Sequence, residues 1–272
     1  MGTGKNRRQR LLDEYPNCYL CGGINRATSV DHVPPRACFP RGYAPEGFEF
    51  PACDACNQST RADDQVFGFW AMVLDFDPAK VTNLLDRQRI TQLMKQVSVE
   101  SRDELLAVAN GRPIHQIGSI ITPSPSAYCA PMPRSFKRSA RSISVKLTHA
   151  LYFRETTRFL TSHHSFCTTT YQPQLPGGQE WTRFFLSLLP ETSIGTRRNI
   201  PGYGDRFAYR SGYKPEEDFF CYLAQFGRGL MLWGIVCGPG VERPSSGPLS
   251  SLTWQNGASG AGANSDPGIG RD

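Results

Sequence analysis

The chain has 272 residues, a formal net charge of +6 at pH 7, and 39% hydrophobic and 11% aromatic residues. This composition supports a packed core in one large or two small domains, and the 26 glycines and 21 prolines predict many turns. No run of about 18 apolar residues occurs, and no apolar run follows the basic N-terminus, which argues against a transmembrane helix and a secretory signal. We therefore expect a soluble, cytoplasmic protein without membrane contacts, in which disulfides are rare.

Four of the nine cysteines form two C-x-x-C pairs, and these are Cys18, Cys21, Cys53 and Cys56. Two thiolates separated by two residues can bind one ion from a tight turn, and two such pairs complete a tetrahedral zinc site. Gly22 and Gly23 follow the first pair, where the turn requires positive φ. A redox role is disfavoured because no buried strand precedes the first pair. The other cysteines are expected to be small buried hydrophobes.

The segment between the two pairs carries an acid–histidine dipeptide. RATSVDHVPP predicts a strand, on which Asp31 and His32 point to opposite faces. CNQSTRADDQVFGFWAMVLDF predicts a helix that places Asn57, Arg61 and Asp64 on one face. Asp31 and Asn57 could hold a hard divalent cation, which prefers oxygen ligands. His32 could then take a proton from water while Arg61 approaches a phosphate; alternatively, His32 is a core histidine with satisfied hydrogen bonds.

The motifs C-x-x-C, V-D-H-V-P-P and C-x-x-C-N, in this order between Cys18 and Asp64, resemble the zinc-stapled form of the HNH endonuclease family. The resemblance implies a ββα-metal fold, in which a β-hairpin and a helix surround one divalent ion, Mg²⁺ or Mn²⁺. It implies His32 as the general base, with Asp31 and Asn57 as metal ligands. The four cysteines would be ligands of a structural Zn²⁺ remote from the chemistry.

The sequence departs from the family pattern at two places. The family's middle asparagine, which pins the loop that orients the histidine, is replaced by Phe48, and no asparagine lies between His32 and Asn57. Another side chain or a backbone carbonyl must therefore orient His32. Many members also carry a lysine shortly after the Cys-Asn pair, where this sequence has Arg61. Arg61 and Asp64 are kept as candidates for a phosphate contact and an extra metal ligand.

A helical segment and a basic cluster follow. PAKVTNLLDRQRITQLMKQV predicts an amphipathic helix, and a second helix is expected from Ser101 to Asn110. The next stretch is rich in proline and serine, which predicts a linker. It ends in basic residues without an acid: Arg134, Lys137, Arg138, Arg141 and Lys146. Such clusters suit a phosphate backbone, so Arg134, Lys137, Arg138 and Arg141 are predicted nucleic-acid contacts; the alternative is a solvated, flexible linker.

The C-terminal part predicts a second structural unit. ISVKLTHALYFRETTRFL has helical spacing, whereas EWTRFFLSLLP, RFAYRSGYK, EDFFCYLAQFG and GLMLWGIVCG predict strands of an antiparallel sheet. Their aromatic residues are expected in the core, with a base-stacking surface as the alternative. SHHSFC, which contains His163, His164 and Cys167, is expected to be a solvated loop rather than a metal site. The Gly/Ser/Pro-rich segment 238–272 is expected to be disordered.

The sequence thus predicts an α+β protein. Its expected parts are a zinc-stapled HNH nuclease domain (1–76), a helical segment (77–111), a basic linker (112–141), a β-rich domain of unknown role (142–237) and a disordered tail (238–272). The expected function is metal-dependent hydrolysis of phosphodiester bonds in nucleic acid, with DNA as the expected substrate. The rival function is a zinc-ribbon module that binds nucleic acid without cutting it. The sequence does not decide whether the substrate is DNA or RNA. It also leaves open whether a protein partner or a small molecule activates the protein.

Overall fold

A computed structural model describes residues 3–41, 44–75, 84–99, 101–103, 134–173, 177–189, 194–195, 206–227, 229–243 and 253–257. The fold is α+β, as predicted. The N-terminal part contains α1 (Thr3–Glu14), β1 (Ser29–His32), a 3₁₀ turn (Arg36–Cys38), β2 (Glu49–Ala52), α2 (Asp54–Ser59), α3 (Arg61–Asp75) and α4 (Leu84–Gln96). β1 and β2 form an antiparallel hairpin, in which Ser29 pairs with Ala52 and His32 pairs with Glu49. The predicted strand through Asp31 is therefore confirmed.

The C-terminal part is one long helix on an antiparallel sheet. Its elements are α5 (Arg134–Thr156), β3 (Ser165–Tyr171), α6 (Gly178–Leu188), β4 (Ile194–Gly195), β5 (Phe207–Lys214), β6 (Phe219–Phe226), β7 (Leu230–Cys237) and β8 (Gln255–Asn256). The strand order is β4-β5-β6-β7-β3-β8. Three of the four predicted strands coincide with β5, β6 and β7. The helix predicted from ISVKLTHALYFRETTRFL coincides with the C-terminal part of α5.

Helix α5 lies in the centre of the molecule, between α3 on one side and β3 and β7 on the other. Most of its residues from Ile143 to Phe153 are therefore buried, whereas a surface helix buries only one face. The opposite face of the sheet packs on α6, where the Phe185 and Trp233 rings stack with centroids 4.3 Å apart. Tyr222 and Trp233 are fully buried, so these aromatic side chains form core rather than a base-stacking surface.

Four expectations for the C-terminal half are wrong within the described residues. EWTRFFLSLLP forms α6 instead of a strand, because Trp181 and Phe185, one helical turn apart, both stack on Trp233. Residues 134–141 are helical rather than a linker, and the boundary expected at 141/142 falls inside α5. SHHSFC is not a solvated loop, since His164 is buried and the strand β3 begins at Ser165. The expected disordered tail contains β8, which pairs with β3.

The helical segment after α3 is described only in part. α4 confirms the predicted amphipathic helix over Leu84–Gln96. Residues 104–133, which include most of the helix expected from Ser101 and most of the expected linker, lie outside the described residues. Among the helices that are described, none has both the length and the apolar character needed to cross a bilayer.

At Gly68, α3 packs directly against the 3₁₀ turn. A Cβ added at Gly68 would lie 2.6 Å from the Ala37 carbonyl carbon and 2.8 Å from its oxygen. We expect Gly68→Ala to lower the free energy of unfolding by about 1–3 kcal/mol, the usual cost of overpacking. Urea denaturation followed by tryptophan fluorescence measures this change. Ala62→Leu, at an exposed position of the same helix, should change it by less than about 0.5 kcal/mol. Equal losses in the two variants would contradict the close approach.

Candidate functional site

The two cysteine pairs converge into one cluster. The Sγ atoms of Cys18, Cys21, Cys53 and Cys56 all lie within 4.8 Å of one another. The first pair lies on the turn after α1, where Gly22 and Gly23 have φ values of 67° and 82°, as the sequence predicted. The second pair straddles the start of α2. In a tetrahedral zinc site with Zn–S distances of about 2.3 Å, the sulfurs are separated by nearly 4 Å, so this cluster could hold a metal ion such as zinc.

Hydrogen-bond donors of Asn25 face two sulfurs of the cluster. The backbone N–H of Asn25 donates to Cys21 Sγ at 3.3 Å, and the Asn25 side-chain amide lies 3.9 Å from Cys53 Sγ. A hydrogen bond from the Cys56 thiol lowers the pKa of Cys18 to about 5, whereas burial raises the pKa of Cys21 and the hydrogen bond to Cys18 raises that of Cys56. Thiolates are the form of cysteine that binds metal. The donor set therefore fits a structural metal ion.

His32 lies at the end of β1, on the partly exposed face of the hairpin. Its Nε2 is 3.3 Å from Glu49 Oε1, and Glu49 Oε2 is 3.2 Å from Arg7 Nε. Nε2 makes no hydrogen bond within the described part of the chain. It lies close enough to Glu49 for an ion pair, but the two groups do not have the geometry of a hydrogen bond. Since the side chain of His32 is 23% exposed, it is not a fully buried core histidine.

The surroundings of His32 favour its neutral form. Burial lowers its pKa, and the positive charge of Arg36 lowers it further, while Glu49 and Asp31 act in the opposite direction. A neutral imidazole can accept a proton from water. Glu49 is the acidic side chain that lies beside His32.

Asp31 points into the protein, on the opposite face of β1 from His32, and is 4% exposed. Its Oδ2 accepts a 2.7 Å hydrogen bond from the Tyr19 hydroxyl, and its Oδ1 accepts the backbone N–H of His32 at 2.8 Å. Oδ1 is also 3.0 Å from Nζ of Lys146, which is fully buried. Both carboxylate oxygens are thus engaged by protein donors.

The other predicted metal ligand does not meet Asp31. The side-chain nitrogen of Asn57 donates to Ser29 Oγ at 3.0 Å. Ser29 and Asp31 lie on the same face of β1. Asn57 is therefore near Asp31, as expected, but its side chain binds Ser29 instead. The Mg²⁺ or Mn²⁺ ion implied by the family resemblance therefore does not fit Asp31 and Asn57 in this arrangement.

The predicted helix after the second cysteine pair is broken at Thr60, which separates α2 from α3. Thr60 Oγ1 contacts the Asn57 carbonyl at 3.5 Å, and such side-chain bonds compete with the helical backbone. Arg61 is exposed, whereas Asp64 turns inward and binds Lys146. The predicted common face of Asn57, Arg61 and Asp64 is therefore not formed.

Lys146 is the residue that the sequence analysis placed wrongly. The sequence places it in the basic cluster expected to suit a phosphate backbone, but it is 0% exposed, and its Nζ lies 2.9 Å from both carboxylate oxygens of Asp64. Burial raises the pKa of Asp64 to about 6, although Lys146 acts in the opposite direction. The sequence does contain a signal for this burial, because Lys146 lies between Ile143 and Leu147 on an apolar face of the helix. A lysine in that position needs an acidic partner in the interior.

The other basic residues of the cluster lie on the exposed side of α5 and are split between two surfaces. Arg138 Nε is 3.5 Å from Asp63 Oδ1 and faces the N-terminal part. Lys137 and Arg141 line a groove of about 550 Å³ whose opposite wall is formed by the strand β3 and Gln172. Arg134 is exposed in the first turn of the helix.

Comparisons of the chain with protein-family models, with curated proteins and with solved structures gave no match. The relation to HNH endonucleases therefore rests on the motif resemblance alone. Within the described residues, the four-cysteine cluster is the group of cysteine, histidine and acidic side chains that could hold a metal ion.

The cysteine cluster is expected to bind about one zinc ion per chain, measured by elemental analysis of purified protein. Cys53→Ser should lose the zinc and expose residues 15–60 to proteolysis, because the binding energy of a structural zinc is also folding energy. Cys38→Ala removes a buried cysteine outside the cluster and should keep the zinc. Zinc-free wild-type protein, or a Cys53→Ser variant as resistant to proteolysis as wild type, would contradict this prediction.

Proposed function

We propose that this chain is a zinc-stapled endonuclease of the HNH type, which hydrolyses phosphodiester bonds in nucleic acid, with DNA as the expected substrate. The observation that carries the proposal is the neutral, partly exposed His32 at the end of a hairpin that is followed directly by α2. The four-cysteine cluster supports it, because a zinc ion there would fix the hairpin to α2 across the turn after α1.

His32 serves as the general base in this proposal. It removes a proton from a water molecule that attacks the phosphorus, and the 3′ oxygen leaves with the bonding electron pair and takes a proton from solvent. Glu49, at 3.3 Å, stabilises the imidazolium that forms, as a carboxylate does beside a catalytic histidine. Arg36, whose charge acts on His32, provides a positive charge for the phosphate.

The catalytic Mg²⁺ or Mn²⁺ implied by the resemblance is given no step in this proposal. The oxygens of Asp31 are engaged by Tyr19, by Lys146 and by the N–H of His32. If such an ion takes part, it must bind elsewhere or displace these donors.

The nucleic acid is proposed to follow the exposed side of α5. Lys137 and Arg141 are one helical turn apart, so both can reach phosphates of one strand in the groove beside β3. The hydroxyl of Thr170 on β3 adds a donor for a phosphate oxygen along the opposite wall, whereas that of Thr168 donates to the Trp233 carbonyl. Arg138 contributes less, because Asp63 already offsets its charge.

One observation favours the rival function, a zinc-ribbon module that binds nucleic acid without cutting. Lys146 forms an ion pair with Asp31, whereas the family's mechanism requires Asp31 to be free to bind a metal ion. A binding module needs the zinc-stapled scaffold and the basic residues of α5, but it does not need a free Asp31.

His32→Ala separates the two functions. We expect it to lower the rate of plasmid or RNA cleavage by about 10²–10⁴-fold, the usual cost of losing a general base. Binding of nucleic acid should persist, because basic side chains elsewhere supply most phosphate affinity.

The pH dependence of cleavage by wild-type protein follows from the lowered pKa of His32. The cleavage rate should be constant around neutral pH and should decline only below pH 6.5, the ordinary pKa of histidine.

The control for this experiment is His163→Ala, which removes an exposed histidine far along the chain and should leave the rate unchanged. If wild-type protein binds nucleic acid but cuts neither DNA nor RNA with any divalent ion, the nuclease proposal fails and the binding-module proposal stands.

The basic residues of α5 can be ranked by the salt dependence of binding. Lys137→Ala and Arg141→Ala should each reduce the slope of log K against log salt by about one unit, the effect of one lost phosphate contact. Arg138→Ala should have a smaller effect, because that side chain is paired with Asp63. Fluorescence anisotropy with a labelled oligonucleotide measures these slopes. Equal slopes in wild type and in all three variants would assign these residues to a solvated surface.

A further inference from the structure

A single buried ammonium lies among four side-chain oxygens next to the proposed nuclease centre. Lys146 Nζ is 3.0 Å from Asp31 Oδ1, 2.9 Å from each carboxylate oxygen of Asp64 and 3.2 Å from Thr60 Oγ1. These oxygens come from β1, from the residue between α2 and α3, and from α3, whereas the ammonium comes from α5. Residues distant in sequence therefore form one compact cation site.

Lys146 is held in this site as a charged group. Burial disfavours its charge, but the carboxylates of Asp31 and Asp64 outweigh burial and raise the pKa of the ammonium. Ile143 and Leu147, on the same side of α5, are both 0% exposed and fix the helix against the core. The Lys146 side chain, which is 0% exposed, is enclosed together with them.

The surroundings of the ammonium have the composition of a hard-cation site. Carboxylate and hydroxyl oxygens are the ligands that divalent ions such as Mg²⁺ and Mn²⁺ prefer. Asp31 is also the residue at which the motif resemblance expects such an ion. Two carboxylates with no cation between them would leave uncompensated charges in the interior, which proteins avoid.

We propose that Lys146 is the resident cation of this site and takes the place of a divalent ion at Asp31. The ammonium neutralises Asp31 and Asp64, holds them together, and leaves no space for a metal ion while α5 is packed on α3. A divalent ion can bind between these carboxylates only when the ammonium is removed. This inference concerns the hairpin of the proposed function, but its test measures ion binding and not cleavage, so the two can fail separately.

The test is Mn²⁺ binding, followed by electron paramagnetic resonance, to zinc-loaded protein. Wild-type protein should bind no Mn²⁺ at this site. Lys146→Met, which keeps the length of the apolar stem and removes the charge, should bind one Mn²⁺ per chain and should gain thermal stability as Mn²⁺ is added. Adding Asp31→Asn to Lys146→Met should abolish both effects, since the amide replaces one carboxylate ligand. Lys95→Met, at an exposed position of α4, should bind no Mn²⁺ at this site, as in wild type.

Three outcomes would overturn the proposal. The first is Mn²⁺ binding by wild type that Asp31→Asn alone abolishes, because Lys146 would then not exclude the ion. The second is a folded Lys146→Met variant that binds no Mn²⁺. The third is Mn²⁺ binding by Lys146→Met that survives Asp31→Asn. If Lys146→Met does not fold without Mn²⁺, refolding it with and without the ion decides: the proposal requires that Mn²⁺ restore the folded state.

Discussion

The buried ion pairs of Lys146 determine how the two halves of this protein fit together. Removing one partner of a buried pair typically costs about 3–5 kcal/mol, because the remaining charge stays in the interior without compensation. Here one ammonium on α5 compensates Asp31 on β1 and Asp64 on α3. The hairpin, α3 and α5 must therefore keep a fixed relative position. The sheet packs on the other side of α5, so it depends on the same arrangement.

The N-terminal segment depends on its neighbours for a second reason. A two-stranded hairpin is marginally stable by itself, and β1 and β2 have four residues each. The cysteine cluster joins the turn after α1 to the start of α2, and the buried Tyr19 hydroxyl connects this turn to Asp31. The cluster therefore orients the hairpin from one end, while Lys146 holds it from the side of α5. His32, on the opposite face of β1, is left half-buried beside Glu49.

Local patterns in the sequence were sufficient for much of this structure. The C-x-x-C spacing, the two glycines with positive φ and the strand through Asp31 depend on a few neighbouring residues, and each was predicted. The aromatic segment that forms α6 was predicted to be a strand, because aromatic residues are common in strands. Its helical structure depends on the stacking of its rings on Trp233, which is distant in the sequence.

The contacts that define the candidate site are long-range, and the sequence could not supply them. Lys146 is 82 positions from Asp64, so their pairing depends on how α5 crosses α3. Glu49 meets His32 only through the register of β1 and β2, which the connecting segment does not specify. The resemblance singled out Asp31 and His32, which lie on β1, and Asn57, which lies on α2, but it could not show that Asp31 is already engaged by a lysine.

The most direct test of this account is a nitrogen NMR spectrum of the lysine side chains. Hydrogens on a buried, hydrogen-bonded ammonium exchange slowly with water, so Lys146 should give a distinct ammonium signal that is absent from Lys146→Met. The account predicts that millimolar Mg²⁺ leaves the position and intensity of this signal unchanged. A signal that shifts or disappears when Mg²⁺ is added would show that a divalent ion displaces the ammonium from Asp31, and would contradict the account.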